Sequence, residues 1–284
     1  MGELAIAHLT EADFDEAGPV LDAAFQDHGL RAGLERNYAA QPGGWLCARC
    51  DQRLVGLVGA ALYGGYASIG MMAVHPDFQK QGIGFRLMDG IVKWITFEQG
   101  CPAAILDANP WAVNLYRKVG FRETGITYQM RREPHHPLPI DPDPRVRPMR
   151  ESDMPAVIDI DCRVMGGDRH AVLQMLWRHY GDRAFVAESR TGSLSGYIFA
   201  QARLVGPWMA DTAEIAEALL RRSLTLEFPN IPAVNIPGCN PQASVIAEGY
   251  GFHTVRALPH MVYGAEIARQ NCTPYFGEVS FMFG

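Results

Sequence analysis

Val74-His75-Pro76-Asp77-Phe78-Gln79-Lys80-Gln81-Gly82-Ile83-Gly84 is the stretch that decides the fold. It follows an apolar run, Ser68 to Val74, and opens another, Phe85 to Phe97, where Phe85, Leu87, Met88, Ile91, Val92 and Ile95 fall near helical spacing. A strand therefore runs through a glycine-containing turn straight into a helix. The first turn of a helix carries N–H groups without partners and the positive end of the dipole. Gly82 and Gly84 let a diphosphate approach that backbone closely, while Gln79 and Lys80 add a side-chain donor and a positive charge. The turn is not the dinucleotide Gly-x-Gly-x-x-Gly, and it is not a P-loop, because no Gly-Lys-Ser/Thr follows.

A second pattern follows at a fitting distance. Ala104 to Ala108 reads as a short strand, Asn109-Pro110 punctuates it, and Trp111 to Val119 forms a short helix that Gly120-Phe121 closes with a glycine C-cap. The first motif, Gln79-x-x-Gly82-x-Gly84 after Val74-His75-Pro76, resembles the pyrophosphate signature of the GNAT superfamily of N-acetyltransferases. The second, Asn109-x-x-Ala112-x-x-Leu115-Tyr116-x-Lys118-x-Gly120-Phe121, resembles that family's other cofactor motif. The specific resemblance covers roughly Tyr66 to Met130, and by extension the first half of the chain.

The resemblance implies an α/β fold (an α+β arrangement on a mixed sheet) and acetyl-coenzyme A as co-substrate. In that fold two neighbouring parallel strands splay apart, here those ending at Val74 and Asp107. The backbone of Met72, Ala73 and Val74 then pairs with the pantetheine arm, and the Met72 and Val74 amides polarise the thioester carbonyl. Amides of Gln81, Gly82, Ile83, Gly84 and Phe85 take the pyrophosphate, with Gln79 and Lys80 at its edge. Asn109, Ala112, Leu115 and Lys118 complete the coenzyme side. Tyr116 is the expected general acid for the leaving thiolate; as a residue of an amphipathic helix it also reads as a packing tyrosine. Many relatives place a glutamate base on the strand before the turn, but Ser68-Ile69-Gly70-Met71-Met72 has none. Asp107 ends the neighbouring strand, placed to act as base directly or through water, or to cap the next helix. Candidates for an acceptor pocket are Phe25, Asp27, His28 and Arg31, with Trp208, His260 and Tyr263 further on.

Composition narrows the classes. The chain has 284 residues, a formal charge of −6 and 9 histidines. That charge speaks against a nucleic-acid binder, which normally shows a basic face. Divided at residue 140, the first part holds 12 basic and 15 acidic residues and the second 13 and 16, so both net −3. Six cysteines are scattered, and Cys47-x-x-Cys50 lacks a second pair or nearby histidines for zinc, so no metal is expected. The acidic N-terminus lacks an apolar signal core, and no run approaches about 18 apolar residues. These features predict a cytoplasmic protein with reduced thiols and no membrane partner.

Organisation along the chain supports two domains. Leu4 to Leu9 reads as a strand, with Thr10 and Asp13 capping a helix to Gln26. Residues 134–148 hold six prolines and read as a link, in which the adjacent His135 and His136 are simply solvated. After it Val146 to Asp153 echoes Ile6 to Asp13, and Asn240-Pro241 and Gly251-Phe252 echo the second motif. The expected division is 1–133 for a catalytic GNAT domain, 134–144 for the proline-rich linker, and 145–284 for a degenerate GNAT-like domain. The second copy has lost the anion turn. In its place stands Gly206-Pro207-Trp208-Met209-Ala210-Asp211-Thr212, with no basic side chain and with Asp211 to repel a diphosphate. One coenzyme site per chain is therefore expected. The aromatic tail (Tyr275, Phe276, Phe281, Phe283) is expected to bury in a satellite core of the second domain.

The leading functional expectation is acetyl transfer to the primary amine of a small molecule or amino-acid-like acceptor, by a monomer or homodimer. A coenzyme-A-binding sensor or scaffold without turnover is the alternative from another class, and a mycothiol-synthase-like tandem acetyltransferase the alternative among enzymes. The latter would be expected to keep the turn that Gly206 to Thr212 lacks.

Overall fold

The computed structural model describes residues 3–134, 143–189, 191–267 and 272–284, so His135 and His136 and most of the proline-rich link lie outside the described residues. Two compact units emerge. Unit 1 holds the chain up to Thr124 together with Met261–Ile267 and Phe281–Phe283, and unit 2 holds Gly125–His260, the described part of 268–280, and Gly284.

Unit 1 is built on strands β1 (Leu4–His8), β2 (Trp45–Cys50), β3 (Arg53–Leu62), β4 (Ala67–Val74) and β5 (Ala103–Asp107), adjacent in that order. The first four are joined antiparallel and β4–β5 is parallel. Helices α1 (Phe14–Phe25) and α2 (Arg31–Ala40) precede β2; α3 (Ile83–Lys93) and α4 (Val113–Val119) flank β5 in the chain. Alternation along β3 explains the two packed faces. Val58 joins the cluster of Leu87, Met88 and Ile91 from α3, whereas a Cβ on its neighbour Gly59 would strike the Trp45 ring at 2.5 Å, so the opposite face has no room there for more than glycine. On that opposite face Trp45 stacks near Tyr38 of α2, which meets Phe14 of α1 edge-on.

The predicted cap is present: the Thr10 amide and hydroxyl both donate to Asp13 Oδ2, at 2.7 and 2.9 Å. The echo in the second half has the same form, with the Arg150 amide donating to Asp153 Oδ2 at 2.7 Å. The motif helix differs from its expected extent. It is regular from Ile83 to Lys93 and then widens into a π turn over Trp94–Glu98, where Gln99 N–H bonds Trp94 O.

In unit 2, β7 (Val146–Pro148), β8 (Ala184–Glu188), β9 (Leu194–Ala200), β10 (Val205–Ala210) and β13 (Tyr275–Gly277) form one sheet in the order β13-β10-β9-β8-β7. The helices are α5 (Met154–Met165), α6 (His170–Tyr180), α7 (Ala213–Ser223) and α8 (Pro241–Gly249). Strand β6 (Arg122–Arg132) runs from Gly125 onward in unit 2, antiparallel to β11 (Ala233–Pro237). Strand β12 (Phe252–Gly264) starts in unit 2 beside β6, and its end, from Met261, returns to unit 1 beside β5. The spatial division thus departs from a linear 1–133 and 145–284. The edge of β5 takes its partner from the end of β12, with Ala265 N–H bonding Pro102 O at 3.1 Å.

In the second half Gly206 to Ala210, where the anion turn is lost, belongs to strand β10, and three sequence expectations need correcting. Trp208 is fully buried in unit 2, its indole N–H donating to Ala216 O at 3.1 Å, so it lines no acceptor pocket. The aromatic tail divides: Tyr275 and Phe276 lie in unit 2, but Phe281 and Phe283 belong to unit 1. Cys239 and Cys272 form a disulfide with Cα atoms 5.8 Å apart, against the expectation of reduced thiols. Scattered positions conceal this pair, because only the fold brings the loop after β11 to the segment before β13. The cross-link spans 33 residues, so it should add about 4 kcal/mol. Cys239→Ser is expected to lower the urea midpoint by a matching amount under oxidising conditions and to leave it unchanged under reducing ones.

The core of unit 2 contains a buried ion pair. Asp161 and Arg169 are paired and buried, with Arg169 Nε to Asp161 Oδ1 at 2.9 Å and Nη2 to Oδ2 at 2.6 Å. The Tyr197 hydroxyl donates to the same carboxylate, and Arg169 Nη1 donates to Gly284 O at 2.7 Å. A buried pair this fully bonded meets the condition under which desolvation is offset. Among the described residues no helix is long and apolar enough to cross a membrane.

Candidate coenzyme and acetyl-transfer site

The site begins where β4 and β5 part. Their pairing is confined to Ala67↔Ala104 and Ser68↔Ile105; beyond Ser68 the two strands diverge. The divergence coincides with a bulge on β4. Its register with β3 slips between Leu57↔Ala73 and Gly59↔Gly70, and Met71 takes φ 50. After the bulge the peptide groups alternate. His75 N–H bonds Val55 O at 2.9 Å on the β3 side, so the Met72 and Val74 N–H groups face the other way, into the splay. Ala73 shares the orientation of His75, so its backbone serves β3 and not a ligand in the splay. That corrects one of the sequence assignments.

The turn below the splay is ordered by its own side chains. His75 caps a short 3-10 turn, its Nδ1 accepting from Asp77 N–H at 3.3 Å. Gln79 Nε2 donates to Val74 O at 3.0 Å. This bond closes the loop, so the Gln79 side chain is committed to shaping it, not to the rim of an anion. Lys80 has φ 61 and is exposed, and Gly82 is the left-handed N-cap of α3 with φ 81. The first-turn amides of Ile83, Gly84 and Phe85 therefore open onto the end of the splay without intrahelical partners. A Cβ on Gly84 would meet Met72 Cε at 2.7 Å and Leu115 Cδ2 at 3.4 Å, which places Met72, α3 and α4 on one face of β4.

The second motif lies on that same face. Asn109 is the N-cap of a 3-10 turn over Pro110–Ala112; its carbonyl accepts from Ala112 N–H at 2.8 Å, and its side chain makes no capping bond. Ala112 and Tyr116 are buried in the cluster that includes Leu106 and Phe121, and Leu115 packs against it. The Tyr116 ring lies 6.2 Å from that of Phe121. Burial pushes the Tyr116 hydroxyl up to about 12, so it holds its proton throughout the neutral range. Asp107 is half-buried at the end of β5 and Lys118 is exposed on α4. Among the described residues no group of three or more His, Cys, Asp or Glu forms a metal cluster.

The corresponding place in unit 2 is built differently. Strand β10 is buried along its length and pairs antiparallel with β13, at Trp208↔Gly277 and Met209↔Tyr275. Next to it Glu278 N–H bonds Asn235 O of β11 at 2.9 Å. A stretch of the chain's own backbone thus lies between β10 and β11. No glycine turn separates β10 from α7: only Asp211 precedes the N-cap Thr212, whose hydroxyl accepts from Ile215 N–H at 3.3 Å. The sequence could not show this plug, because Tyr275–Gly277 is short and distant from both strands.

Comparison with known proteins agrees with the geometry. Residues 6–121 match the acetyltransferase (GNAT) family model, and residues 157–277 match an acetyltransferase (GNAT) domain model. The uncharacterised N-acetyltransferase YitH of Bacillus subtilis (strain 168) is 26% identical over 222 residues, 77% of either chain. Among solved structures, a Pyrococcus horikoshii protein assigned to the acetyltransferases superposes with a TM-score of 0.85 at 23% identity, covering 99% of this chain and 96% of that one. A GCN5-related N-acetyltransferase from Sphaerobacter thermophilus gives 0.69 at 15% identity, covering 92% and 95%. With both halves matched and a splayed β4–β5 pair above a glycine-capped helix, this chain belongs to the GNAT superfamily as a tandem-domain acetyltransferase.

Proposed function

We propose that the chain moves an acetyl group from acetyl-coenzyme A to the primary amine of a small molecule or amino-acid-like acceptor, using one site in unit 1. The observation that carries this reading is the splay after Ser68, with two strand amides facing into it and the free first turn of α3 at its end. Pantetheine pairs with the amides of Met72 and Val74, and the diphosphate sits on Gln81 to Phe85, where Gly82 leaves open space. Lys80 and Lys118 supply exposed positive charge. The Met72 and Val74 N–H groups stabilise the oxyanion as the amine attacks. The Tyr116 hydroxyl then donates its proton to the departing sulfur, forming the free thiol and the amide. Asp107 is the carboxylate placed by the sequence nearest this step, and it takes the amine's proton directly or through water. The β13 backbone between β10 and β11 supports a single site, because coenzyme and strand would compete for the same peptide groups.

Coenzyme thiol release over a panel of primary amines tests the reading. Amine-dependent release that stops in Gln79→Ala/Gly82→Val supports it. Tight coenzyme binding without release by any amine supports the sensor reading instead.

A further inference from the structure

At the mouth of the splay the chain leaves a large aromatic side chain in water. Trp111 is 76% exposed, whereas Trp45, Trp94 and Trp208 are buried. It sits in the 3-10 turn that leads from β5 into α4, directly after Asn109-Pro110. A single exposed apolar side chain is ordinary on a protein surface; the position of this one gives it meaning.

Strands β4 and β5 are parallel neighbours, so the helices that follow them open at the same edge of the sheet. Contacts fix the faces of α4. Ala112, Val113 and Tyr116 are buried in the core, and Arg117 turns to Asn114 and Glu123. Leu115 lies toward α3, since its Cδ2 would be 3.4 Å from a Cβ on Gly84. Trp111 and Lys118 stand one turn before and one turn after Leu115 on that flank, and both are exposed. Trp111 is thereby set about 6 Å beyond Leu115 toward the helix starts. That level is the one at which the first-turn amides of α3 open past the N-cap Gly82.

The chemistry of coenzyme A gives this place an occupant. Its diphosphate joins the pantetheine arm to adenosine. With the arm in the splay and the diphosphate on the start of α3, the adenosine leaves past the edge of the sheet, on the water-facing side where the indole lies. Indole and purine are flat fused rings of matching size, and a base stacked on an aromatic side chain gains about tenfold or more in affinity.

We propose that Trp111 is the adenine platform of the donor site, so that the chain draws its acetyl group from a thioester carrying a purine nucleotide and discriminates against a bare phosphopantetheine thioester. The proposal rests on the coenzyme reading above and adds to it a side chain and a donor preference. Lys118, on the same flank, keeps a positive charge beside the nucleotide.

The test titrates wild type, Trp111→Ala, Trp111→Phe and Phe97→Ala with acetyl-coenzyme A and with acetyl-phosphopantetheine, which lacks the adenosine. Phe97 is the matched control, because it is 82% exposed on the π turn at the other end of α3. Trp111→Ala should weaken acetyl-coenzyme A binding about tenfold and acetyl-phosphopantetheine binding by less than about twofold, with an unchanged melting temperature. Trp111→Phe should keep most of the affinity, and Phe97→Ala all of it. In wild type the coenzyme should also quench the emission of the exposed indole, and this quench should vanish in Trp111→Ala. Unchanged acetyl-coenzyme A affinity in Trp111→Ala, or a loss shared equally by the two donors, overturns the platform while leaving the coenzyme reading standing. Failure of wild type to bind acetyl-coenzyme A overturns that reading itself, and the platform with it.

Discussion

Tyr116→Phe lowers kcat by about 100- to 1,000-fold, within the span general-acid removal gives, while acetyl-coenzyme A affinity changes by less than about threefold. The asymmetry is the point. The ring stays packed against Phe121, so binding geometry survives, and only the proton for the departing sulfur is lost. The pH dependence carries a second signature. Because burial raises the hydroxyl to about 12, the acid form persists well past neutrality, and the alkaline fall of kcat is not set by Tyr116. Stability has the opposite trend. The folded value lies above the unfolded value of about 10, so the stabilising effect of the buried neutral phenol is whole below pH 10 and drains away between about 10 and 12. Urea unfolding at pH 8 and 11 should show wild type losing about 1.4 kcal/mol more than Tyr116→Phe. A variant with near-normal kcat refutes the acid role.

Gly82→Val weakens acetyl-coenzyme A binding by about 100-fold, or about 2.7 kcal/mol. Two effects combine. At φ 81 a β-branched residue is strained, which costs about 1–3 kcal/mol of stability and should lower Tm by a few degrees. The new side chain also projects into space that is open in the protein, which is where the diphosphate would lie against the α3 amides. Gly82→Ala shares the strain but obstructs less, so its affinity should fall between the two. Isothermal titration separates these, because strain alone shifts the melting curve without a matching loss of affinity. Wild-type affinity in Gly82→Val would remove the diphosphate from this turn.

What the sequence revealed and what it hid follow from the range of the interactions. The strand, turn and helix around Val74 to Gly84 are local, and their glycines and apolar spacing specify them directly. So is the cap at Thr10 and Asp13. The committed role of the Gln79 side chain was hidden because Val74 O becomes its acceptor only when the turn closes. Ala73 failed for a simpler reason: strand alternation, fixed by the bulge at Met71, turns its peptide toward β3. Everything that depends on the chain's last part was illegible. Cys272, Tyr275 and Met282 find partners at Cys239, Met209 and Gly70, and no local pattern encodes such distances. The exchange at the ends of β6 and β12 belongs to the same class, since each strand is continuous in sequence while its two ends belong to different units.

The single-site claim is tested most directly by calorimetric titration of acetyl-coenzyme A into the wild-type protein and Gly82→Val. One coenzyme per wild-type chain, with binding abolished or strongly weakened in the variant, is the predicted result. Two coenzymes per chain, or one that binds Gly82→Val as it binds wild type, would contradict it.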